Sequence, residues 1–212
     1  MLIKVSRRKL LLGTPLGLAA LPALAQLQQT PLQTIGPFYP ADRPKDQDWD
    51  LTQVKGKSGR AKGEIIYVTG RVLSQKGEPV KDARIEIWQC NAAGKYRHGA
   101  DDTKTPLDPN FEGYAVVATD ADGRYKFKTV KPGAYAVGPN AMRPPHIHVD
   151  VTGHESRIIS QMYFPNEPLN EKDGIFKNTN RKELLIAKIM PPQKGMESDS
   201  KLALWDIVLN RG

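Results

Sequence analysis

The stretch Ala83-Arg84-Ile85-Glu86-Ile87-Trp88-Gln89-Cys90 alternates between apolar and polar side chains over most of its length. Successive side chains of a strand point to opposite faces, so this alternation predicts a β-strand with one face turned toward a hydrophobic core. The turn-forming residues Lys76-Gly77-Glu78-Pro79 precede it, and the strand-like run Glu64–Val72 lies before that turn. Strand, turn and strand in close succession are typical of a β protein.

The same kind of pattern continues to the end of the chain. Short runs of alternating, β-branched or aromatic residues bounded by Gly, Pro or Asp predict further strands. These are Gly113–Thr119, Tyr125–Val130, His146–Thr152, Ile158–Phe164, Leu184–Met190 and Leu202–Val208. No segment of useful length has helical periodicity. We therefore predict an all-β fold, a β-sandwich with an extended N-terminal arm and long loops.

The tetrapeptide Asp120-Ala121-Asp122-Gly123 separates two of these predicted strands. Its Asp and Gly residues favour a hairpin turn. The same order of residues occurs in half of a calcium-binding loop, but the remaining ligands of that loop are absent from the sequence. We predict the hairpin turn.

The first 25 residues read as a targeting segment. Ser6-Arg7-Arg8-Lys9 precedes an apolar stretch that runs to Leu21, and Ala23-Leu24-Ala25 provides a small-x-small cleavage site. The apolar stretch, interrupted by Pro15, is too short to span a bilayer. The arginine pair indicates twin-arginine export to the periplasm or the medium. We predict a signal peptide at 1–25, an arm at 26–62 and a β-sandwich domain at 63–212.

Composition excludes some partners. Lys4, Arg7, Arg8 and Lys9 are the charged residues of the predicted signal peptide, so its removal lowers the net charge from +8 by four to +4. No basic run with interleaved aromatic residues remains, which argues against a nucleic-acid partner. Cys90 is the only cysteine and cannot form a disulfide within the chain. It is most simply a buried strand residue, the alternative being a reactive thiol.

Two of the four histidines lie in Arg143-Pro144-Pro145-His146-Ile147-His148. Side chains at positions i and i+2 of a strand share a face, so His146 and His148 can reach the same metal ion. Imidazole is a ligand for zinc, copper, iron and nickel. Such a pair also occurs as unrelated surface residues, so the pair alone leaves metal binding open.

Four passages together resemble the intradiol ring-cleavage dioxygenases, most closely those of the protocatechuate 3,4-dioxygenase type. Their order and spacing extend over nearly the whole predicted mature chain. The passages are Gln33-Thr34-Ile35-Gly36-Pro37-Phe38-Tyr39-Pro40, Ile87-Trp88-Gln89-Cys90-Asn91-Ala92-Ala93-Gly94-Lys95-Tyr96-Arg97-His98, Lys131-Pro132-Gly133-Ala134-Tyr135 leading to Arg143–His148, and Ile159-Ser160-Gln161-Met162-Tyr163-Phe164-Pro165.

The resemblance implies a mononuclear Fe(III) centre held by two tyrosinates and two histidines, at Tyr96, Tyr135, His146 and His148. A phenolate is a hard anionic donor that favours Fe(III), whereas imidazole suits several metals and oxidation states. The bound cation itself lowers the pKa of a tyrosine ligand. Asp150 shares the strand face of the histidines, but the resemblance gives it no ligand role. Without the motifs, Tyr135 would read as a loop residue and Tyr96 as an edge-strand aromatic.

Further roles follow from the resemblance. Tyr135 is the ligand that a substrate displaces, Arg143 stabilises negative charge that develops beside a bound catecholate, and Gln161 lies near the iron pocket. The alternatives are a surface salt bridge for Arg143 and a backbone hydrogen bond for Gln161. His98 and His154 are expected to be solvent-exposed and without chemistry.

The implied reaction is cleavage of a catechol by O2 between its two hydroxyl-bearing carbons, giving a cis,cis-muconate-type product. Protocatechuate or a related substituted catechol is the expected substrate. Relatives tend to have tryptophan at the position of Val137 and a slightly longer loop after Tyr135, which leaves the accepted ring substituents open. The segment Gly36-Pro37-Phe38 reads either as a turn or, as in relatives, as part of the mouth of the site. A homologous subunit, a second copy or no protein partner is compatible with the sequence.

The competing hypothesis is a non-catalytic exported β-sandwich that binds a partner and has kept only the fold. It predicts a colourless protein without iron, whereas a tyrosinate–Fe(III) centre absorbs visible light.

Overall fold

The computed structural model describes residues 26–138 and 141–211, so the predicted signal peptide lies outside the described residues. The described residues form eleven strands, one short α-helix and two 3₁₀ helices. The strands are β1 (Ile65–Ser74), β2 (Arg84–Trp88), β3 (Tyr114–Ala118), β4 (Arg124–Val130), β5 (Tyr135–Gly138), β6 (Ala141–Arg143), β7 (His146–Thr152), β8 (Arg157–Tyr163), β9 (Lys188–Met190), β10 (Lys201–Leu204) and β11 (Ile207–Leu209). Helix α1 spans Gly174–Lys177, and the 3₁₀ helices span Asn170–Lys172 and Lys182–Leu185.

Two sheets form the sandwich. In the first sheet, β1 pairs antiparallel with β4 and parallel with both β10 and β11, while β9 pairs with β10. The second sheet is antiparallel, with the strand order β3-β2-β7-β8. Strands β5 and β6 form a separate hairpin. The predicted all-β sandwich is confirmed.

The alternation seen in the sequence determines which face of the second sheet meets the core. Ile85 and Ile87 of β2 pack with Val149 of β7 and with Val68 and Phe127 of the first sheet. The intervening residues of β2 and β7 point to the opposite face, which we call the outer face. Both faces are largely buried, as expected if a further layer of chain covers the sheet.

That further layer is the N-terminal segment 26–62. It has no helix or strand of its own beyond the single bridge residue Asp50. The backbone N–H of Thr30 donates to Val208, and that of Gln33 donates to Ile159 on β8. These bonds fasten the segment along the second sheet and to the end of the chain.

Two strand predictions need correction near the C-terminus. Leu184–Met190 is a strand only over Lys188–Met190, because Leu185 instead turns in a 3₁₀ helix and packs with Tyr163 and Phe176. Leu202–Val208 is split into β10 and β11 at Trp205. The chain here passes so close to β1 that a Cβ on Gly70 would overlap the Trp205 carbonyl group.

The connection at Asp120 is a turn, as predicted, but it does not form a hairpin. The Asp120 carboxylate accepts from the backbone N–H groups of Asp122 and Arg124. The strands it joins lie in different sheets, since β3 pairs with β2 and β4 pairs with β1.

The hairpin β5–β6 was not predicted, because its strands are only four and three residues long. No helix in the described part of the chain could cross a bilayer.

Candidate metal centre

The two histidines of β7 lie side by side on the outer face, as the strand period predicts. Both are buried, and the two Nε2 atoms are 3.2 Å apart. His146 Nδ1 lies 2.7 Å from the carbonyl oxygen of Pro144. A ring nitrogen beside a carbonyl carries the proton and donates it, so the Nε2 atom of His146 keeps its lone pair.

Tyr135 reaches the histidines from the hairpin. It begins β5 after Pro132, and its Oη lies 3.4 Å from His146 Nε2. Across the hairpin its register partner is Arg143, the last residue of β6. Because β7 starts three residues after Arg143, the hairpin places tyrosine, arginine and histidine at one end of the second sheet.

Tyr96 comes from the long loop between β2 and β3. Its ring lies edge-to-face against Tyr135, with the centroids 5.2 Å apart, and 6.5 Å from the ring of His148. The Asp101 carboxylate accepts from the Tyr96 backbone N–H at 2.8 Å and from Lys95 Nζ at 3.0 Å. This buried ion pair closes the loop, and the hydrogen bond to the Tyr96 N–H fixes the position of the Tyr96 backbone. All four predicted ligands therefore meet in one buried cluster.

Burial keeps the four side chains neutral. It lowers the pKa of His148 to about 3, helped by the positive charge of Arg143. The pKa of His146 lies well below its usual value, mainly for the same reason. Burial also raises the pKa of Tyr96 well above its usual value, and it raises that of Tyr135, where Arg143 opposes the shift. A bound cation would ionise the phenols and use the unprotonated imidazoles as they stand.

The cluster fits a metal ion on two counts. The Tyr96 hydroxyl is buried without a hydrogen-bond partner, a costly state that a metal would relieve. Imidazole nitrogens lie about 2.0–2.1 Å from a bound zinc ion, so two nitrogens at adjacent positions on one metal are roughly 3 Å apart. The 3.2 Å separation between His146 and His148 suits this arrangement. Within the described residues, no three His, Cys, Asp or Glu side chains are placed to hold a metal.

Arg143 and Gln161 lie next to the cluster and bind each other. Arg143 Nη2 donates to Gln161 Oε1 at 2.7 Å, and the buried carboxylate of Asp173 accepts from Arg143 Nε at 3.0 Å. Gln161 is the register partner of His148, and its Nε2 donates to the carbonyl oxygen of Thr34. Arg143 thus pairs with a buried acid and not with a surface acid.

The N-terminal segment covers the cluster. Phe38 stacks on Tyr96 with the centroids 4.6 Å apart and also contacts Tyr135. Gly36 has a φ of +73°, and a Cβ there would lie 3.1 Å from Cε1 of His148. Both the backbone conformation and the close approach to His148 therefore favour glycine at this position. Gly36-Pro37-Phe38 lies at the candidate site and is more than a turn in the arm.

One predicted exposure was wrong. His98 is half-buried and packs edge-on against Phe38 at 5.8 Å, because the loop that carries Tyr96 folds back over the N-terminal segment. His154 is exposed, as predicted.

Cys90 is buried beside the Gly133 carbonyl, and burial raises the pKa of its thiol to about 12, as expected for an unreactive side chain.

Three residues at the site were not singled out from the sequence. Trp88 stacks on His148, and Tyr163 donates to Gln161. Both could have been found from the two-residue period of a strand. Trp88 follows the core residue Ile87 and so points to the outer face, and Tyr163 lies two residues after Gln161 and so shares its face. Asp173 has no such signal, because it lies outside the strands, between the 3₁₀ helix Asn170–Lys172 and α1.

The chain resembles known sequences over most of its length. A family model described as Dioxygenase matches residues 34–211. The beta chain of protocatechuate 3,4-dioxygenase from Burkholderia cepacia is 50% identical over 147 residues, which cover 68% of this chain and 63% of that protein. The alpha chain from the same organism is 31% identical, covering 78% and 86%. A hydroxyquinol 1,2-dioxygenase from Rhizobium sp. (strain MTP-10005) is 32% identical, covering 72% and 52%. The matched region thus spans between half and two thirds of two of these relatives.

Solved structures share the fold. The dioxygenase domain of a dioxygenase carbohydrate-binding protein fusion from Streptomyces sp. SirexAA-E superposes with a TM-score of 0.66, at 24% identity, over 87% of this chain and 100% of that chain. Hydroxyquinol 1,2-dioxygenase from Pseudomonas putida DLL-E4 gives 0.70, at 20% identity, over 88% and 68%.

Proposed function

The chain belongs to the intradiol ring-cleavage dioxygenase family, and on that premise we propose that it cleaves a catechol with O2 between the two hydroxyl-bearing carbons. The product is a cis,cis-muconate-type diacid. Protocatechuate or a related substituted catechol is the proposed substrate, and Fe(III) the proposed cofactor. The observation that supports this most directly is the convergence of Tyr96, Tyr135, His146 and His148 in one buried cluster.

The same four residues would hold the metal. A ferric ion bound there would act as a Lewis acid and would orient a chelated catecholate toward O2. Burial raises the pKa of Tyr135, so its Oη would hold a proton whenever it does not bind a cation. It could therefore receive one of the two protons that a chelated catechol would lose, and the other would pass to water. His146 and His148 need no such proton transfer, because they are neutral already.

Arg143 provides fixed positive charge next to these residues. Burial alone would lower its pKa, but Tyr163, Tyr135 and Asp173 outweigh that effect, so the guanidinium stays charged. A preorganised cation of this kind stabilises negative charge that develops during reaction. This is the role we assign to Arg143.

Access to the cluster requires local movement. Each of the four donors is at most 5% exposed, so a catechol reaches them only if covering residues shift. Phe38 and strand β5 are the covering elements, and they border a cavity of about 410 Å³ whose lining includes Val137 of β5. Val137 is 53% exposed, and we propose that its small side chain leaves room for ring substituents. Replacing Val137 by Trp should narrow the range of catechols cleaved.

The decisive experiment combines metal analysis with a visible spectrum of the purified protein. The proposal predicts one iron per chain and a charge-transfer band, consumption of one O2 per catechol and a muconate-type product. Tyr96→Phe and His148→Ala should remove the band and leave a folded β protein. Tyr114→Phe is the matched control, since Tyr114 lies in the same aromatic cluster but hydrogen-bonds to Glu86.

Two results would overturn the proposal. Stoichiometric zinc with neither iron nor colour would support the non-catalytic binding module. A yellow semialdehyde product would show cleavage beside the hydroxyl-bearing carbons instead of between them.

We also propose export and a subunit partner. Arg7 and Arg8 motivate twin-arginine export, and replacing both by Lys should leave precursor in the cytoplasm if that route is used. Unimpaired export of the variant would favour the general secretory route.

The match to both an alpha and a beta chain motivates pairing with a second copy or a homologous subunit. The mass of the purified assembly tests this.

A further inference from the structure

The guanidinium of Arg143 is held by three buried groups along one side. Its Nε donates to Asp173 Oδ2 at 3.0 Å, and its Nη2 donates to Gln161 Oε1 at 2.7 Å and to Tyr163 Oη at 3.0 Å. Among the described residues, none accepts a hydrogen bond from Nη1. The planar guanidinium presents its donors in a rigid fork, so fixing Nε and Nη2 also fixes the direction of Nη1.

Asp173 is itself held in a single orientation. Its Oδ1 accepts from the backbone N–H of Ile175 at 3.0 Å and caps α1, while Oδ2 accepts from Arg143. The Tyr163 hydroxyl lies 3.4 Å from the same Oδ2. With both oxygens engaged and the side chain buried, Asp173 has little freedom to rotate.

We propose that Asp173 is the positioning residue for Arg143. Asp173 holds the guanidinium in one orientation. In that orientation Nε and Nη2 are hydrogen-bonded to protein groups, and Nη1 is available to the substrate. This inference rests on the proposed function. Within the described residues, no hydrogen bond joins Asp173 to any of the four proposed ligands, so in this proposal it acts through Arg143.

The simpler alternative is that Asp173 serves only to begin α1 as its N-cap. Serine separates the roles, because it is a good N-cap but too short to reach Arg143 as the carboxylate does. In Asp173→Ser the helix cap is retained and the contact with Arg143 is lost. A purely capping residue would tolerate this change.

The test is a double-mutant cycle with Arg143→Ala. We expect kcat to fall about 10²–10³-fold in Arg143→Ala, the scale for removing one preorganised donor. Asp173→Ser should lower kcat about 10–100-fold, with KM changed much less and with iron content and resting colour as in the wild type. The double variant should be no slower than Arg143→Ala, because the effects of residues that act as a unit are not additive. Losses that multiply, or wild-type turnover in Asp173→Ser, would overturn the inference.

A second readout needs no iron. In the metal-free protein, the Nε–H of Arg143 should give a ¹⁵N–¹H resonance protected from exchange with solvent, identified by its loss in Arg143→Ala. Asp173→Ser should make this proton exchange rapidly, and unchanged protection would contradict the inference. A wild type without iron or turnover would refute the proposed function instead, so the two failures are distinguishable.

Discussion

The indole of Trp88 lies face to face with the imidazole of His148, with the centroids 4.9 Å apart and the planes 11° apart. The two residues are register partners on β2 and β7. Tyr39 packs edge-on against Trp88 at 5.0 Å. The strand pairing therefore sets the orientation of a ring that we propose as a metal ligand.

Replacing Trp88 by Leu should weaken metal binding. The substitution removes the stack and leaves the His148 ring free to rotate, and changing a residue that orients a ligand typically costs 10–100-fold in metal affinity. Titration with a competing chelator measures the affinity. Trp205→Leu is the control, because it removes a buried tryptophan from the core cluster. Each variant should lose about 3 kcal/mol of unfolding free energy, but Trp205→Leu should retain the metal affinity.

Gly36→Ala should disturb the site through one methyl group. An alanine in the left-handed backbone conformation destabilises the folded protein by about 1 kcal/mol. The substitution also places a Cβ 3.1 Å from His148. Gly56→Ala provides the matched control, since Gly56 has a φ of +83° with nothing within 4 Å. Both variants should lose the backbone cost in urea unfolding, and Gly36→Ala should lose more because of its contact with His148. A visible band unchanged in Gly36→Ala would contradict the close approach.

Asp101→Asn should act on Tyr96 and on stability together. The change leaves the Lys95 ammonium, whose side chain is 11% exposed, without its anionic partner. Breaking a buried pair costs about 3 kcal/mol, so urea unfolding should shift accordingly. The tyrosinate band should also move, because the carboxylate holds the Tyr96 backbone. A loss of stability with an unmoved band would show that the loop positions Tyr96 without Asp101.

Glu86 should make stability depend on acid pH. Burial would raise the pKa of its carboxyl, but hydrogen bonds from Arg84, Tyr114 and Tyr39 outweigh it, and the net pKa lies below 4.5. The stabilisation is complete above the unfolded-state pKa of about 4.5 and is lost as pH falls through the lower folded-state pKa. Urea unfolding between pH 3 and 7 should show this decline in the wild type. Glu86→Gln should be less stable at neutral pH, by on the order of 2 kcal/mol, with a flatter acid dependence.

The sequence predicted most of the sandwich because period-two alternation and a hydrophobic core act locally. It placed His146 and His148 on one face for the same reason. Tyr96 and Tyr135 came from the resemblance to a family, and their role as ligands stays a prediction. The pairing of Arg143 with Asp173 could not be predicted, because it depends on where the two short helices on either side of Asp173 pack against the sheet. The split at Trp205 was missed for a related reason: it follows from the close passage of the chain over Gly70.

The position of β1 has a consequence for how the chain folds. Ile66 pairs with Lys201, and Thr30 exchanges hydrogen bonds with Val208. Contacts between residues so far apart in sequence are slow to form. The chain loses the entropy of closing the long loop before the contacts contribute any stabilising free energy. During synthesis, β1 gains its parallel partners only after residues 201–209 have left the ribosome. A chain that stops before residue 201 would therefore leave one edge of β1 without its partners, open to pairing with other molecules.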